Sequence, residues 1–573
     1  MFDKNKFAKI LKEIYETFDT QREFSSKVGV SRGYLSEYMN MKKEKPPSPK
    51  ILDNIATNSK GMTNYRELMQ VCGYTDYLTD DFFDDNVSNT NNKIPIVIRI
   101  KYNKKTNSFI TDPAQEYIYA NFKLEKNKEY IVEIIDNGFE GEGIAKIDNF
   151  TIFINGAIKG EKVKILIVKV LSSHAFGKIV EILEKSDKRQ EVDCTTYKRC
   201  GGCNMRHIKY EDTLKMKQNA VQSLVNKTLK NKIQVKSTLG MENPLHYRNK
   251  AQYPIGINKN GEPVIGVFAN RTHEVIPMEK CLIQNPISEE IAKTVLEFIK
   301  KNKISVYNEK TVKGLFRHIV IKVGIKTNEV MCILVINGSK IPKEDELIKI
   351  LTQKYPNIKT IVKNINNKNT NVILGKQNVN LYGDGYIEDK LGEYIFKISP
   401  MSFYQVNPIQ AEVLYNTAIE AANLSKEDTL FDLYCGIGTI GIFASKFVKQ
   451  VYGIEIVEQA IEDAKENAKI NKVENAKFIC GDVEFAFDEL INKKKIIPTA
   501  IIVDPPRKGL DEKTIQNILK IKPEKLVYIS CNPATMVRDI AKTEGVYVAE
   551  KIQPVDMFPY TSSVECVAVL KLK

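Results

Sequence analysis

The spacing of apolar residues changes character several times along the chain. Phe7, Ile10, Leu11, Ile14, Tyr15 and Phe18 recur every three or four residues, which predicts one face of a helix. Thr20 to Glu23 is a capping-box pattern that opens a second helix. Gly29 closes it, Ser31 caps a third (Arg32 to Met39), and Ser48 begins further helical pattern. Residues 76–92 hold Asp76, Asp80, Asp81, Asp84 and Asp85 and then an Asn-rich run, a linker composition. Ile94 to Tyr102 is a strand-like run that the pattern does not assign to a domain. Between Leu124 and Leu183 five short strand-like runs follow one another, beginning at Glu129, Gly141, Thr151, Lys162 and Phe176. Five such strands predict a small Greek-key barrel of the oligonucleotide-binding type. Residues 186–395 mix strands and helices. Residues 396–573 alternate strand with helix, which predicts a doubly wound parallel sheet.

The expected fold class is therefore multidomain. An α-helical head (1–75) precedes a linker and unassigned segment (76–123). A small β-barrel (124–185), an α+β central domain (186–395) and an α/β doubly wound domain (396–573) follow. A chain of 573 residues is too long for one core. Its 43% hydrophobic and 27% charged residues are ordinary for globular protein. No apolar run reaches the length of a membrane span and the N-terminus is charged, so a cytoplasmic monomer off the membrane is expected. A net charge of +14 favours a polyanionic partner, although the excess is mostly Lys.

In a reducing compartment ten cysteines read as thiols or metal ligands, not disulfides. Cys194, Cys200 and Cys203 form C-x5-C-G-G-C, and Cys281 follows in Met-Glu-Lys-Cys. Four thiolates serve zinc or a [4Fe–4S] cluster. Zinc ribbons carry two close pairs, so one close pair with a distant fourth thiol favours iron–sulfur. The other cysteines, Cys531 apart, show no ligand spacing and are read as packing residues.

Leu430-Phe-Asp-Leu-Tyr-Cys-Gly-Ile-Gly reads as a buried strand, a glycine turn and a helix. Gly436 and Gly438 permit a ligand to approach the backbone at the strand end. Glu455 ends the next strand, where a carboxylate can accept both ribose hydroxyls. Gly441 completes G-x-G-x-x-G, so spacing alone leaves a dinucleotide open. Asp432 before the turn and the later Asp-Pro-Pro favour S-adenosylmethionine. Asp482, after a third strand, either meets an adenine or caps the strand end. Asp504-Pro-Pro-Arg507 ends a fourth strand, and its proline pair stiffens the loop. Arg507 stands where exocyclic-nitrogen methyltransferases carry an aromatic, which argues for a different chemistry.

That chemistry centres on Cys531, in Ser-Cys-Asn-Pro at the end of an apolar strand. The turn exposes a thiol whose thiolate is a nucleophile. Carbon 5 of uracil becomes nucleophilic only after a nucleophile adds to carbon 6. The reaction needs one thiol and one base, and Glu565 on the last strand suits the second role, though it could also be a strand end.

Three resemblances follow. Phe24 to Tyr38 resembles the phage-repressor-like helix-turn-helix family, which would turn Ser31, Arg32 and Tyr34 toward a DNA groove. Gly-x-Gly-Ile-Ala and Gly-Glu-Lys-Val look like the TRAM domain, an RNA-binding barrel. With Gln405 in Phe403-Tyr-Gln-Val-Asn407, residues 124–573 resemble the bacterial RNA uracil-5-methyltransferase family. That resemblance implies a Rossmann-like S-adenosylmethionine domain with Gln405, Tyr434, Glu455 and Asp504 at the donor. It implies Cys531 as nucleophile, Glu565 as base, and Phe403 and Arg507 against the substrate. The cysteines and the barrel point to the 23S ribosomal-RNA branch. Transfer RNA is the alternative substrate, and a redox-responsive DNA-binding regulator the alternative function.

Overall fold

The computed structural model describes residues 2–18, 20–43, 46–47, 49–59, 62–63, 67–68, 71–72, 101–103, 108–110, 124–270 and 272–573. The linker at 76–92, Ser48 and most of the Ile94–Tyr102 run lie outside them. The chain divides into two units, Met1–Ala120 and Asn121–Lys573.

In the first unit the helices are α1 (Lys4–Tyr15), α2 (Gln21–Val28), α3 (Arg32–Met39) and α4 (Pro49–Thr57). Each of the first three is capped by a short polar side chain. Asp3, Thr20 and Ser31 accept the otherwise unpaired amides of Lys6, Glu23 and Tyr34. Gly29 ends α2 with φ of 76°, the left-handed conformation a glycine adopts without strain. Phe7, Leu11, Ile14, Phe24, Val28 and Leu35 form the core. Strands β1 (Lys101–Asn103) and β2 (Ser108–Ile110) pair antiparallel.

The second unit begins with a barrel of six strands. They are β3 (Glu129–Glu133), β4 (Asp136–Asn137), β5 (Gly143–Ile147), β6 (Phe150–Asn155), β7 (Lys162–Val170) and β8 (His174–Glu184). The order is β3-β7-β8-β6-β5-β4, and β6 and β8 run parallel. The sixth strand, β4, is two residues long, too short for an alternation signal. Val132, Ala145, Ile152, Ile154, Val163 and Ile165 fill the interior.

Helix α5 (Tyr210–Thr228) comes next, then β9 (Lys250–Ile257), β10 (Pro263–Phe268), β11 (Val275–Pro277), α6 (Pro286–Lys301), β12 (Phe316–Val323), β13 (Val330–Ile336), α7 (Glu344–Lys354), β14 (Ile358–Ile365) and β15 (Gln377–Tyr382). The sheet order is β11-β10-β9-β12-β13-β14-β15. Every residue of β12 and β13 is buried. Ile319, Ile321, Cys332 and Leu334 pack on one face with α6 and α7. Val320, Met331, Ile333 and Val335 pack on the other with the C-terminal elements. A sheet covered on both faces reads as a continuous apolar run.

A hairpin, β16 (Ile387–Leu391) and β17 (Tyr394–Ile398), and α8 (Pro408–Ala422) lead into the last sheet. Its elements are β18 (Thr429–Leu433), α9 (Thr439–Ser445), β19 (Gln450–Glu455), α10 (Glu458–Ile470), β20 (Ala476–Cys480), α11 (Val483–Asp488), β21 (Ala500–Val503), α12 (Glu512–Ile521), β22 (Lys525–Ser530), α13 (Pro533–Thr543), β23 (Tyr547–Val555) and β24 (Glu565–Leu572). The order is β20-β19-β18-β21-β22-β24-β23, parallel except for β24, which runs antiparallel to β22 and β23. The strand order reverses between β18 and β21, which opens a crevice at their C-terminal ends. Among the described residues no helix is long and apolar enough to cross a membrane.

Although α5 precedes the central sheet in sequence, it packs on the C-terminal one through Val221 and Val225. Its Lys217 Nζ lies 2.5 Å from Asp556 Oδ1, with both side chains buried. Removing one partner leaves a buried charge uncompensated. Lys217→Ala should therefore destabilise the fold by about 3–5 kcal/mol, seen as a lowered denaturation midpoint in urea.

Candidate active site

At the end of β18 the backbone turns sharply. Tyr434, Gly436 and Gly438 all take positive φ (67°, 53° and 80°). Gly438 starts α9, and a Cβ there would lie 2.8 Å from the Phe478 ring. The turn thus needs glycine for close helix packing as well as for its backbone angle. Asp432 Oδ2 accepts the Gly441 amide at 2.8 Å and locks β18 to α9. Glu455 is oriented by the backbone, its two oxygens accepting the amides of Gly436 (3.3 Å) and Val457 (2.9 Å). Asp482 caps α11 by accepting the Glu484 amide at 2.9 Å, so it fills the structural role while facing the same space.

That space is a cavity of about 1180 Å³. It brings together Phe403, Gln405, Tyr434, Gly436, Glu455, Asp482, Asp504, Arg507, Cys531 and Glu565. Of the candidate donor-site residues, Gly438 alone does not line it. Phe403 is 71% exposed. The volume exceeds what one drug-sized ligand occupies, leaving room for a second reactant.

Cys531 and Glu565 meet because of strand register. In the antiparallel β22–β24 ladder Lys525 pairs with Lys571, and each step outward ends with Ser530 opposite Cys566. The next residues out, Cys531 and Glu565, lie at its open end and line the same cavity. Asn532 caps α13 and also donates its side-chain amide to the Arg507 carbonyl at 3.0 Å. Thr535 Oγ1 donates to the same carbonyl, and Arg538 donates to the carbonyl of Lys508. The turn bearing the thiol and the Asp-Pro-Pro-Arg loop are therefore one braced unit.

The electrostatics are crowded. Burial raises Asp504 to about 7. Glu565 rises to about 8, through burial and then repulsion from Asp504, with Arg507 opposing. The Cys531 thiol is pushed up to about 11 by burial and by Glu565 and Asp504, again opposed by Arg507. Asp432 rises to about 7, chiefly through burial. Asp504 and Glu565, both held above their ordinary range where they line the cavity, favour a cationic ligand there.

The sequence patterns missed several lining residues. Ile456 and Val457, 62% and 53% exposed, follow Glu455 directly. Two exposed apolar residues after a strand-end carboxylate were a usable signal. Tyr415 on α8, and Phe558 and Ser563 in the β23–β24 loop, carried no periodic signal. Cys480, read as a packing residue, is exposed, whereas Cys72, Cys332, Cys435 and Cys566 are buried.

A second cavity, about 550 Å³, is lined by Cys194, Cys200, Cys203 and Cys281, all unpaired. Burial and the neighbouring thiols push Cys203 up to about 12. Arg206, Arg248 and Lys280 line the same cavity. Arg206 Nη1 and Arg248 Nε are buried without a hydrogen-bond partner. Among the described residues no three His, Cys, Asp or Glu side chains are grouped so as to hold a metal ion. In the head, Ser31 is occupied as the α3 cap, Tyr34 packs on Tyr38 at 5.1 Å, and Arg32 is exposed.

The crevice, the glycine turn and the strand-end carboxylate define a class I methyltransferase-like α/β fold. Residues 209–573 match the family model for tRNA (uracil-5-)-methyltransferase, and residues 123–180 match the TRAM domain. An uncharacterized RNA methyltransferase of Clostridium acetobutylicum is 45% identical over 78% of this chain and 98% of its own. One from Staphylococcus aureus is 42% identical over 78% of this chain and 99% of its own. The crystal structure of the Pyrococcus abyssi tRNA (uracil-54, C5)-methyltransferase with S-adenosyl-L-homocysteine superposes with a TM-score of 0.62. It is 25% identical and covers 77% of this chain and all of that one. The chain belongs to the tRNA (uracil-5-)-methyltransferase family and is an RNA-methylating enzyme.

A carboxyl acting as base works only when ionised, so activity limited by Glu565 should rise with pH. We expect kcat to climb with pH up to about 8, where Glu565 becomes ionised, and to go on rising above it because the Cys531 thiol, pushed up to about 11, must also lose its proton. Arg507→Gln removes the cation that lowers Glu565 and Cys531, and should move the profile to higher pH. An unchanged profile in that variant would show that Arg507 does not set it.

Proposed function

We propose that this enzyme, acting in the cytoplasm, methylates carbon 5 of a uridine in 23S ribosomal RNA through a covalent bond between Cys531 and carbon 6. The observation that carries the reading is the meeting of Cys531 and Glu565, at the end of the β22–β24 ladder, in one cavity with Gln405, Glu455 and Asp504.

The Cys531 thiol loses its proton to water, aided by Arg507 and by the N-terminus of α13. The thiolate adds to carbon 6, and the electron pair of the ring double bond moves to carbon 5 and oxygen 4. When bound, S-adenosylmethionine supplies the methyl group that carbon 5 takes up. Glu565 then removes the carbon 5 proton. That C–H pair re-forms the double bond, and the carbon 6–sulfur bond breaks with its pair returning to Cys531. In this reading Glu455, fixed by two backbone amides, accepts the ribose hydroxyls, and Asp482 meets the adenine end. Gln405, Tyr434 and Asp504 flank the donor, and the crowded carboxyls suit its sulfonium charge. In this reading the exposed Phe403 stacks on a base.

The ribosomal branch is supported by the four-cysteine cavity together with the TRAM barrel. Transfer RNA is the second reading, because the Pyrococcus neighbour acts on it. Labelled methyl transfer to unmodified 23S ribosomal RNA and to transfer RNA decides between them. Cys531→Ala should abolish turnover on either. Glu565→Gln should accumulate a denaturation-resistant RNA adduct. Turnover by Cys531→Ala would overturn the covalent route, and label in transfer RNA alone would overturn the branch.

Cys194, Cys200, Cys203 and Cys281 would hold a [4Fe–4S] cluster. A zinc ion at about 2.3 Å from each sulfur needs four tightly converging thiols, whereas a cluster spreads them around a larger body. The two unpartnered guanidinium nitrogens fit the negative charge of either group. Protein purified without oxygen should carry iron and acid-labile sulfide, and Cys200→Ser should lose both. Zinc alone would contradict the assignment.

The head is read as a DNA-binding helix pair, with the exposed Arg32 at the start of α3 as its main contact. Arg32→Ala should weaken binding to a duplex selected from random sequence, and failure to select any duplex would remove the reading.

A further inference from the structure

Between β23 and β24 lies the segment 556–564, which leads directly into Glu565. Almost every fixed point along it comes from outside its own sheet. At its start Asp556 is held by Lys217 and Tyr210 of α5, and its carbonyl by Gln410 of α8. Asn407 donates to the carbonyl of Met557, and Tyr247 to that of Pro559. These contacts fix the half farther from Glu565.

The nearer half is held by the residues immediately after Cys203. Asn204 makes a two-way clasp with Ser562: its side-chain nitrogen donates to Ser562 Oγ at 2.9 Å, and its oxygen accepts the Ser562 amide at 2.8 Å. The same nitrogen donates to the Glu140 carbonyl of the barrel at 2.7 Å. Met205 donates its amide to the Tyr560 carbonyl at 3.0 Å. The Arg206 guanidinium lies 4.4 Å from the centre of the Tyr560 ring and is itself oriented by a two-pronged pair with Asp193 (2.6 and 2.8 Å). Tyr560 has φ of 62°, a left-handed conformation unusual for a residue with a bulky side chain, and it needs such external support.

We propose that Asn204 and Arg206 are positioning residues for Glu565. They tie the cysteine-bearing segment, and through Glu140 the barrel, to the loop that sets the carboxyl against carbon 5. This rests on the reading of Glu565 as the base. It assigns a task to the conjunction of a cysteine cavity and a distant catalytic carboxyl: the segment Cys203–Arg206 has one end in that cavity and the other on the loop.

If Asn204 acts through Glu565, its loss slows the step Glu565 performs and leaves the earlier ones alone. Asn204→Ala should lower kcat between about ten- and a hundredfold, with the apparent KM for RNA falling alongside it because a later step has become limiting. The covalent RNA adduct should build up at steady state, as in Glu565→Gln but to a smaller extent. In the Glu565→Gln background, Asn204→Ala should slow adduct breakdown no further. Amide hydrogen exchange should quicken over 557–563 and not in the β22–β24 ladder. Ser562→Ala, which removes only one arm of the clasp, should give the same pattern more weakly and serves if Asn204→Ala folds poorly. An unchanged kcat, a fall in kcat without adduct, or a full additional slowing in the double variant would overturn the inference. If Glu565→Gln itself traps no adduct, the base assignment fails and the inference falls with it. Adduct in Glu565→Gln but none in Asn204→Ala would refute the positioning role alone.

Discussion

The active site depends on one strand running the wrong way. Strands β18 to β22 are parallel, and a parallel neighbour to β22 would present its far end to the crevice. Because β24 enters antiparallel, its first residue arrives where the last residue of β22 leaves. The ladder's backbone hydrogen bonds therefore bring Cys531 and Glu565 to the same end of the sheet, and the segment 556–564 that leads into Glu565 completes its placement. A slip of one residue would turn Glu565 to the opposite face of the sheet, so the apolar residues that fix the register also fix the chemistry. Val527, Ile529 and Val567 pack on one face and Leu526, Tyr528, Cys566 and Ala568 on the other.

The second constraint is charge. Asp432, Asp504 and Glu565 are all raised by burial, and Asp504 adds to the cost of ionising each of the other two. Arg507 opposes part of this from the loop braced by Asn532, Thr535 and Arg538. A cavity so arranged binds a cation well and releases it more readily once the charge is gone. A methyl sulfonium that becomes a neutral thioether on transfer fits that electrostatic demand.

That most residues of the proposed donor site line one cavity was legible because their elements are local. A strand, a glycine turn and a helix follow within fifteen or so residues, and the strand-end carboxylates stand at fixed offsets. The same holds for Ser530-Cys531-Asn532, where the Asn that caps α13 is adjacent to the thiol. What was not legible depends on long-range packing. Nothing near Lys217 in sequence indicates that its partner is Asp556, nor that α5 belongs with a sheet two hundred residues later. Phe558 and Ser563 sit in a loop without period, and only its endpoints place them in the cavity. The central strands β12 and β13 share cores with both neighbours, so a boundary drawn by pattern at 395 divides residues that pack together. In the head the Ser31 cap was legible because a cap is local, whereas the packing of Tyr34 on Tyr38 was not read from the pattern.

The central claim is a carbon–sulfur bond at Cys531, and it can be caught directly. RNA substrate carrying 5-fluorouridine in place of uridine has no carbon 5 proton for Glu565 to remove, so the sequence should stop after methyl transfer. Incubation with S-adenosylmethionine, denaturation, digestion and mass spectrometry should show a methylated fluorouridine attached to the peptide containing Cys531. Attachment at any other residue, or no adduct from an enzyme that turns over normal RNA, would contradict the account.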